Sequence, residues 1–230
     1  MKTLRELGIG RPQKLKPMIE EEIYQILGSI RMKETTLTNQ GVIINFKHFF
    51  TPAIINLLWK VMVGQRFCPH DPKLQKLINM MDELVKINPA FVNISMALPF
   101  LSPLTRLVVP QTRRMVKCTK TIQDFLQGLL LERRALGLYL DQDCRKENFV
   151  DAFLIEIDKR KNEHPNYYTD EQFVIVALDL FMAGSETTSS MLEWAVYFMV
   201  LYPRAQAKVQ DEIDSVVGGG RIPNYGDRSQ

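Results

Sequence analysis

The chain has 230 residues, 46% of them hydrophobic and 24% charged, with a formal net charge of +3. This composition excludes a disordered tract, a collagen-like chain and a small disulfide scaffold. The charge is too small to call for a nucleic-acid partner, and none is expected. The three cysteines, Cys68, Cys118 and Cys144, are odd in number and lack C-x-x-C spacing, which argues against a zinc site and against a secreted disulfide framework.

Taken in order, the chain reads as helical almost throughout. The segment Leu4 to Gly10 has the look of a helix end stopped by glycine, so the chain is expected to be one piece of a larger domain. Pro17 to Lys33 carries Ile19, Ile23, Ile26, Leu27 and Ile30 at helical spacing. Thr51-Pro52 opens a helix that runs to about Val63, before Gly64. Asp71-Pro72 opens another, with Leu74, Leu77, Ile78, Met81, Leu84 and Val85 on one face. Pro89, Pro99, Pro103 and Pro110 then break an apolar stretch into loop or short turns.

Gln111 to about Leu138 reads as a long amphipathic helix with Met115, Cys118, Ile122, Phe125, Leu126 and Leu129 as its apolar stripe. Its other face is basic, since residues 101–134 hold seven Lys or Arg against two Asp or Glu; a solvated helix face is the expected reading. A shorter helix begins at Phe149 and ends near Asn162. Thr169-x-x-Gln172 is a capping box, and from there no proline occurs before Leu201, enough for roughly 50 Å of helix. Pro203 starts a separate helix with an edge of Val209, Ile213 and Val216, closed by Gly218-Gly219-Gly220. No alternating strand pattern is found, and no apolar run approaches the roughly 18 residues of a membrane span. The fold class expected is all-α, built round one long helix over about 169–201.

The middle of that helix breaks a local rule. Between two apolar halves lies Ala183-Gly184-Ser185-Glu186-Thr187-Thr188-Ser189-Ser190. A glycine inside a helix costs about 1 kcal/mol relative to alanine, and Ser and Thr hydroxyls compete for backbone groups. Gly184 leaves room for something flat to approach the backbone. Ala183 and Thr187, four apart, share a face that Leu180 and Val176 continue, giving an apolar wall with one hydroxyl in it. Glu186 adjoins Thr187 but points about 100° away; a carboxylate beside a hydroxyl can relay protons. Two blander readings stand beside this one: a solvent-facing polar segment, or a helix break with Ser185 capping a new start.

The spelling Asp179-Leu180-Phe181-Met182-Ala183-Gly184-Ser185-Glu186-Thr187-Thr188 closely resembles the central I-helix motif of cytochrome P-450 monooxygenases, (A/G)-G-x-(D/E)-T-(T/S). Tyr202-Pro203 with Lys208-Val209-Gln210-Asp211-Glu212-Ile213-Asp214, Leu4-Arg5-x-x-Gly8-x-Gly10, Gly64-x-Arg66-Phe67 and Phe149-Val150-Asp151-Ala152-Phe153-Leu154 resemble further segments of the microsomal, drug- and hormone-metabolising members, in the same order. The resemblance covers essentially the whole chain, from the end of helix C through helix J. It implies a haem monooxygenase that inserts one oxygen atom from O2 into an apolar small molecule, with a cysteine thiolate as iron ligand and an NADPH-dependent reductase as electron donor.

By the same resemblance, Thr187 and Glu186 are the catalytic pair that delivers protons. Ala183, Gly184, Thr187 and Thr188 lie against the haem, and Val176, Asp179, Leu180 and Ala183 face the substrate. The segment 91–109 sits where membrane-bound members touch the bilayer, so a peripheral membrane contact is expected there, on the cytosolic face of the endoplasmic reticulum. Three family motifs are missing: the cysteine loop F-x-x-G-x-R-x-C-x-G, E-x-x-R and W-x-x-x-R. Gly64-Gln65-Arg66-Phe67-Cys68 mimics part of the first, but Val61 stands where it needs Phe and His70 where it needs Gly, so Cys68 reads as a buried or half-buried small hydrophobe. Residues 1–230 are therefore expected to form a single incomplete catalytic domain lacking the N-terminal anchor and the haem-ligand region. On this reading the axial cysteine lies beyond Gln230, no residue here ligates the metal, and the chain is inactive alone. The rival is a truncated, non-enzymatic helical protein acting through its surfaces.

Overall fold

The computed structural model describes residues 12–35, 45–68, 71–86, 110–140, 148–224 and 226–227. Among them are the helices α1 (Pro12–Thr35), α2 (Thr51–Val63), α3 (Pro72–Val85), α4 (Pro110–Leu136), α5 (Phe149–Lys159), α6 (Asp170–Leu201) and α7 (Pro203–Val217), with a 3₁₀ turn at Leu138–Leu140 after α4. No strand occurs among the described residues. The expected ends at Leu4–Gly10, the Pro-broken stretch 91–109, His70 and Cys144 lie outside the described residues.

Most element boundaries follow from local chemistry. Asp71 caps α3, its carboxylate accepting the Lys73 N–H at 2.7 Å, with Pro72 at the first helical position. Thr169 caps α6 through the Gln172 N–H at 3.2 Å. Gly64, Gly137 and Gly218 follow α2, α4 and α7 with φ of 78°, 65° and 71°, the left-handed region that glycine enters without steric cost.

Several boundaries differ from expectation. α1 begins at Pro12 rather than Pro17 and carries Pro17 inside it, where the proline forfeits one backbone hydrogen bond. α4 starts at Pro110 rather than Gln111, proline being well suited to a first helical position. α5 stops at Lys159, three residues short of Asn162.

The chain divides into two compact units, one made of Met62–Ala183 and the other of Met1–Val61 with Gly184–Gln230. In the first, α3 packs on α4, and α4 packs on α5 and the 3₁₀ turn. The buried stripe of α4 is Ile122, Leu126 and Leu130, one turn apart each time, so Leu130 takes the place expected for Leu129. Phe173 of α6 lies 6.0 Å from Phe149 and 5.5 Å from Phe153 of α5, ring centre to ring centre. Arg134 grips Asp170 with two hydrogen bonds of 2.8 and 2.6 Å, tying the end of α4 to the start of α6. Arg133 donates to the Val63 carbonyl, one of the orphan acceptors at the end of α2.

The same unit holds a buried polar join. Asn148 accepts the Asp151 N–H at 2.9 Å, and its side-chain amide donates to the Asp151 carboxylate at 2.6 Å. This reciprocal cap opens α5, and both residues are buried.

In the second unit, Lys60 of α2 pairs with Glu21 of α1. Leu58 of α2 lies against Gly184 of α6. Arg221 and Asp227 pair through two bonds of 2.7 and 2.6 Å after α7, and this holds the Asp227 carboxyl down to about 2.

Candidate active site

The polar run in the middle of α6 causes no break: the helix is continuous from Asp170 to Leu201. Its composition is therefore explained by what its two sides face. Phe173, Ala177, Phe181, Ser185 and Ser189, each four residues apart, are buried; Ser185 is 1% exposed and Ser189 2%. Ile175, Asp179, Ala183, Thr187 and Met191, again four apart, are exposed. The run is thus not a uniformly solvent-facing segment. It is a helix with small hydroxyl residues on its inner side, where larger side chains would hold neighbours off.

Of the sequence-derived candidates, Ala183, Thr187, Thr188 and Asp179 are exposed, while Val176, Leu180, Gly184 and Glu186 are half-buried. At about 100° per residue, Val176, Leu180, Ala183 and Thr187 fall within a 60° arc. The structure therefore keeps these four on one strip, with a threonine hydroxyl amid aliphatic groups. Gly184 lies at the margin of that strip, and a Cβ built there meets Leu58 at 3.1 and 3.2 Å. The close approach that the in-helix glycine signals is made by the chain itself. Leu58 is the residue that sequence spacing missed, because nothing local marks a contact between positions so far apart.

Glu186 leads to the other side of the helix. Ser190 donates a hydrogen bond to its carboxylate at 3.2 Å, and Ser189 donates to its backbone carbonyl at 3.3 Å. Ser190 is a second residue that spacing alone did not select, although its position one turn after Glu186 was a visible signal.

Cys68 corrects one expectation. It is exposed, while its neighbour Phe67 is buried. Cys118 is half-buried in α4. Among the described residues, no group of three or more His, Cys, Asp or Glu could hold a metal ion, and no helix is long and apolar enough to cross a membrane. What α6 offers is a wall: a half-buried to exposed aliphatic strip with one hydroxyl, on a helix anchored by its opposite side. That arrangement fits the face of a flat apolar group such as haem.

The family model for cytochrome P450 matches residues 1–230. The chain belongs to the cytochrome P450 family. It is 31% identical over 229 residues to cytochrome P450 2J3 of Rattus norvegicus, covering 98% of this chain and 42% of the relative. It is 31% identical over 228 residues to cytochrome P450 2D10 of the same species, covering 99% and 42%. With cytochrome P450 2H1 of Gallus gallus it shares 30% over 228 residues, covering 99% and 43%. The chain spans less than half the length of these curated relatives. Its all-helical architecture, with no strand among the described residues, is that of the helical part of the cytochrome P450 fold, and the family implies haem as cofactor.

Proposed function

We propose that the chain is the central helical portion of a haem-dependent monooxygenase, from the end of helix C through helix J of one catalytic domain. The parent enzyme inserts one oxygen atom from O2 into an apolar small molecule, drawing electrons from an NADPH-dependent reductase at the cytosolic face of the endoplasmic reticulum. The observation that carries this reading is the strip of α6 on which half-buried Val176 and Leu180 are followed by exposed Ala183 and Thr187.

Haem, when bound, supplies the activation of dioxygen. The rest belongs to this chain. Ala183, Thr187 and Thr188 form the edge against which the cofactor lies, with Gly184 beside them, its open side filled by Leu58. Val176, Leu180 and Ala183 keep water from the reacting side, since an aliphatic wall offers it no partner, and Asp179 borders the substrate. The Thr187 hydroxyl is both donor and acceptor, so it can hold a proton at its oxygen and pass it on. Glu186 relays protons by taking one up on its carboxylate and passing it on; on the helix that carboxylate accepts a hydrogen bond from Ser190. The segment 91–109 makes the peripheral membrane contact.

Thr187→Ala tests the assignment in a form of the protein that carries the family's cysteine loop. Haem content and substrate affinity should be kept, while reducing equivalents are diverted from product to hydrogen peroxide. Unchanged coupling between NADPH oxidation and product would refute the role of Thr187.

A further inference from the structure

Glu186 has two hydroxyl residues about one turn ahead of it on α6, Ser189 and Ser190. At about 100° per residue, Ser189 lies about 60° from Glu186 toward the buried stripe of Phe173, Ala177, Phe181 and Ser185. Ser190 lies about 40° from Glu186 in the other direction, toward Thr187, which is itself about 100° away. The two hydroxyls are used differently. Ser189 is buried and donates to the Glu186 backbone carbonyl at 3.3 Å. Ser190 is half-buried, as Glu186 is, and donates to the carboxylate at Oε1, 3.2 Å away. The helix itself offers that carboxylate no cation, since no Lys or Arg occurs from Asp170 to Leu201.

We infer that Ser190 is a positioning residue of the proton relay: its hydroxyl draws the Glu186 carboxylate to the side of the helix that carries Thr187. The bond engages Oε1 and leaves Oε2 to take up and release the proton. Ser189 does not compete for the carboxylate, because its hydroxyl is committed to the backbone. Without Ser190, a flexible side chain spreads over its rotamers, and the carboxylate is aimed at Thr187 for only part of the time. A hydroxyl suits this task because it gives a single hydrogen bond and brings no charge of its own, so the carboxylate keeps its capacity to accept a proton. The inference rests on the relay proposed above for Glu186 and Thr187, and adds the residue that aims it.

Nuclear magnetic resonance of the 230-residue chain, prepared with isotope-labelled glutamate, tests the placement. The side-chain signals of Glu186, assigned by their loss in Glu186→Gln, should shift in Ser190→Ala and return toward the parent position in Ser190→Thr, which keeps the hydroxyl. Coupling tests the role, in a form of the protein that carries the family's cysteine loop. Ser190→Ala should lower product formed per NADPH by about threefold to tenfold, a part of the roughly 100-fold or more that a proton-transfer group contributes. KM should be unchanged, and Ser190→Thr should restore the yield. Alanine is a better helix former than serine, so a weakened helix does not account for the loss. In a Glu186→Gln background, Ser190→Ala should cause no further loss. The control Ser189→Ala should couple as the parent does. Unmoved Glu186 signals, a loss that persists in the Glu186→Gln background, or an equal loss in Ser189→Ala overturns the inference. Unchanged coupling in Ser190→Ala, with coupling reduced in Glu186→Gln, overturns the inference and leaves the relay standing. Unchanged coupling in both overturns the relay as well.

Discussion

Leu58 occupies the space that a β-carbon on Gly184 would need, its two methyl carbons lying 3.1 and 3.2 Å from that point. The glycine of the A-G-S-E-T-T run therefore serves packing between α2 and α6. Gly184→Val should destabilise the chain by about 1–3 kcal/mol through overpacking. Leu58→Ala in the same chain should recover a large part of that loss. Urea denaturation of the single and double variants measures the coupling, and strictly additive losses would show that the two side chains do not compete for one space.

Asn148 and Asp151 predict a second, larger effect. Asn148→Ala removes the cap of α5, worth about 1 kcal/mol. It also takes a donor from a buried carboxylate, worth about 1–3 kcal/mol more. Asn148→Asp keeps an acceptor for the helix end but sets two carboxylates side by side, so it should also lose stability although aspartate is a good cap elsewhere. Thermal melts of both variants decide this; an aspartate variant as stable as the parent would contradict it.

The Arg134–Asp170 grip should be visible in acid. The hydrogen bonds from Arg134 outweigh desolvation and hold the Asp170 carboxyl below its ordinary value. A lowered folded-state value stabilises the fold above about pH 4, near where the unfolded group titrates. That stability is lost as pH falls through the lower folded value. Arg134→Gln should thus cost up to about 1 kcal/mol near neutrality, as partly exposed pairs do, with the gap to the parent closing below pH 4. A gap that stays constant into acid would show that it arises from something other than Asp170.

Cys68 gives a spectroscopic prediction. It is exposed and lies after the end of α2, so it should not act as a haem ligand despite the G-x-R-x-C spelling around it. The 230-residue chain, given haem, reduced and treated with carbon monoxide, should lack the band characteristic of thiolate ligation. Appearance of that band, and its loss in Cys68→Ser, would make Cys68 a ligand.

Local chemistry made much of this fold legible. Asp71-Pro72, Thr169-x-x-Gln172 and Gly218 marked helix ends because caps and left-handed glycines act within one turn. The strip of Val176, Leu180, Ala183 and Thr187 was legible because helical periodicity alone sets which residues share a side. The contact of Leu58 with Gly184 was not, because it depends on the path of the chain between α2 and α6. The direction of Cys68 was hidden for a related reason: it follows the end of α2, and no periodic pattern announced where the helix gave way. Leu130 displaced Leu129 because a helix repeating every 3.6 residues carries its buried stripe round by a fraction of a turn.

The two tryptophans sit in opposite surroundings. Trp59 of α2 is 7% exposed and Trp194 of α6 is 57% exposed, with Trp194 in a run of aromatic contacts through Tyr197, Phe198 and Tyr202. Indole emission shifts to the blue in apolar surroundings and to the red in water, so the chain contains its own pair of optical gauges. The blue component follows the integrity of α2. The red component follows whatever comes to rest on the outer side of α6, and each can be read without adding a label.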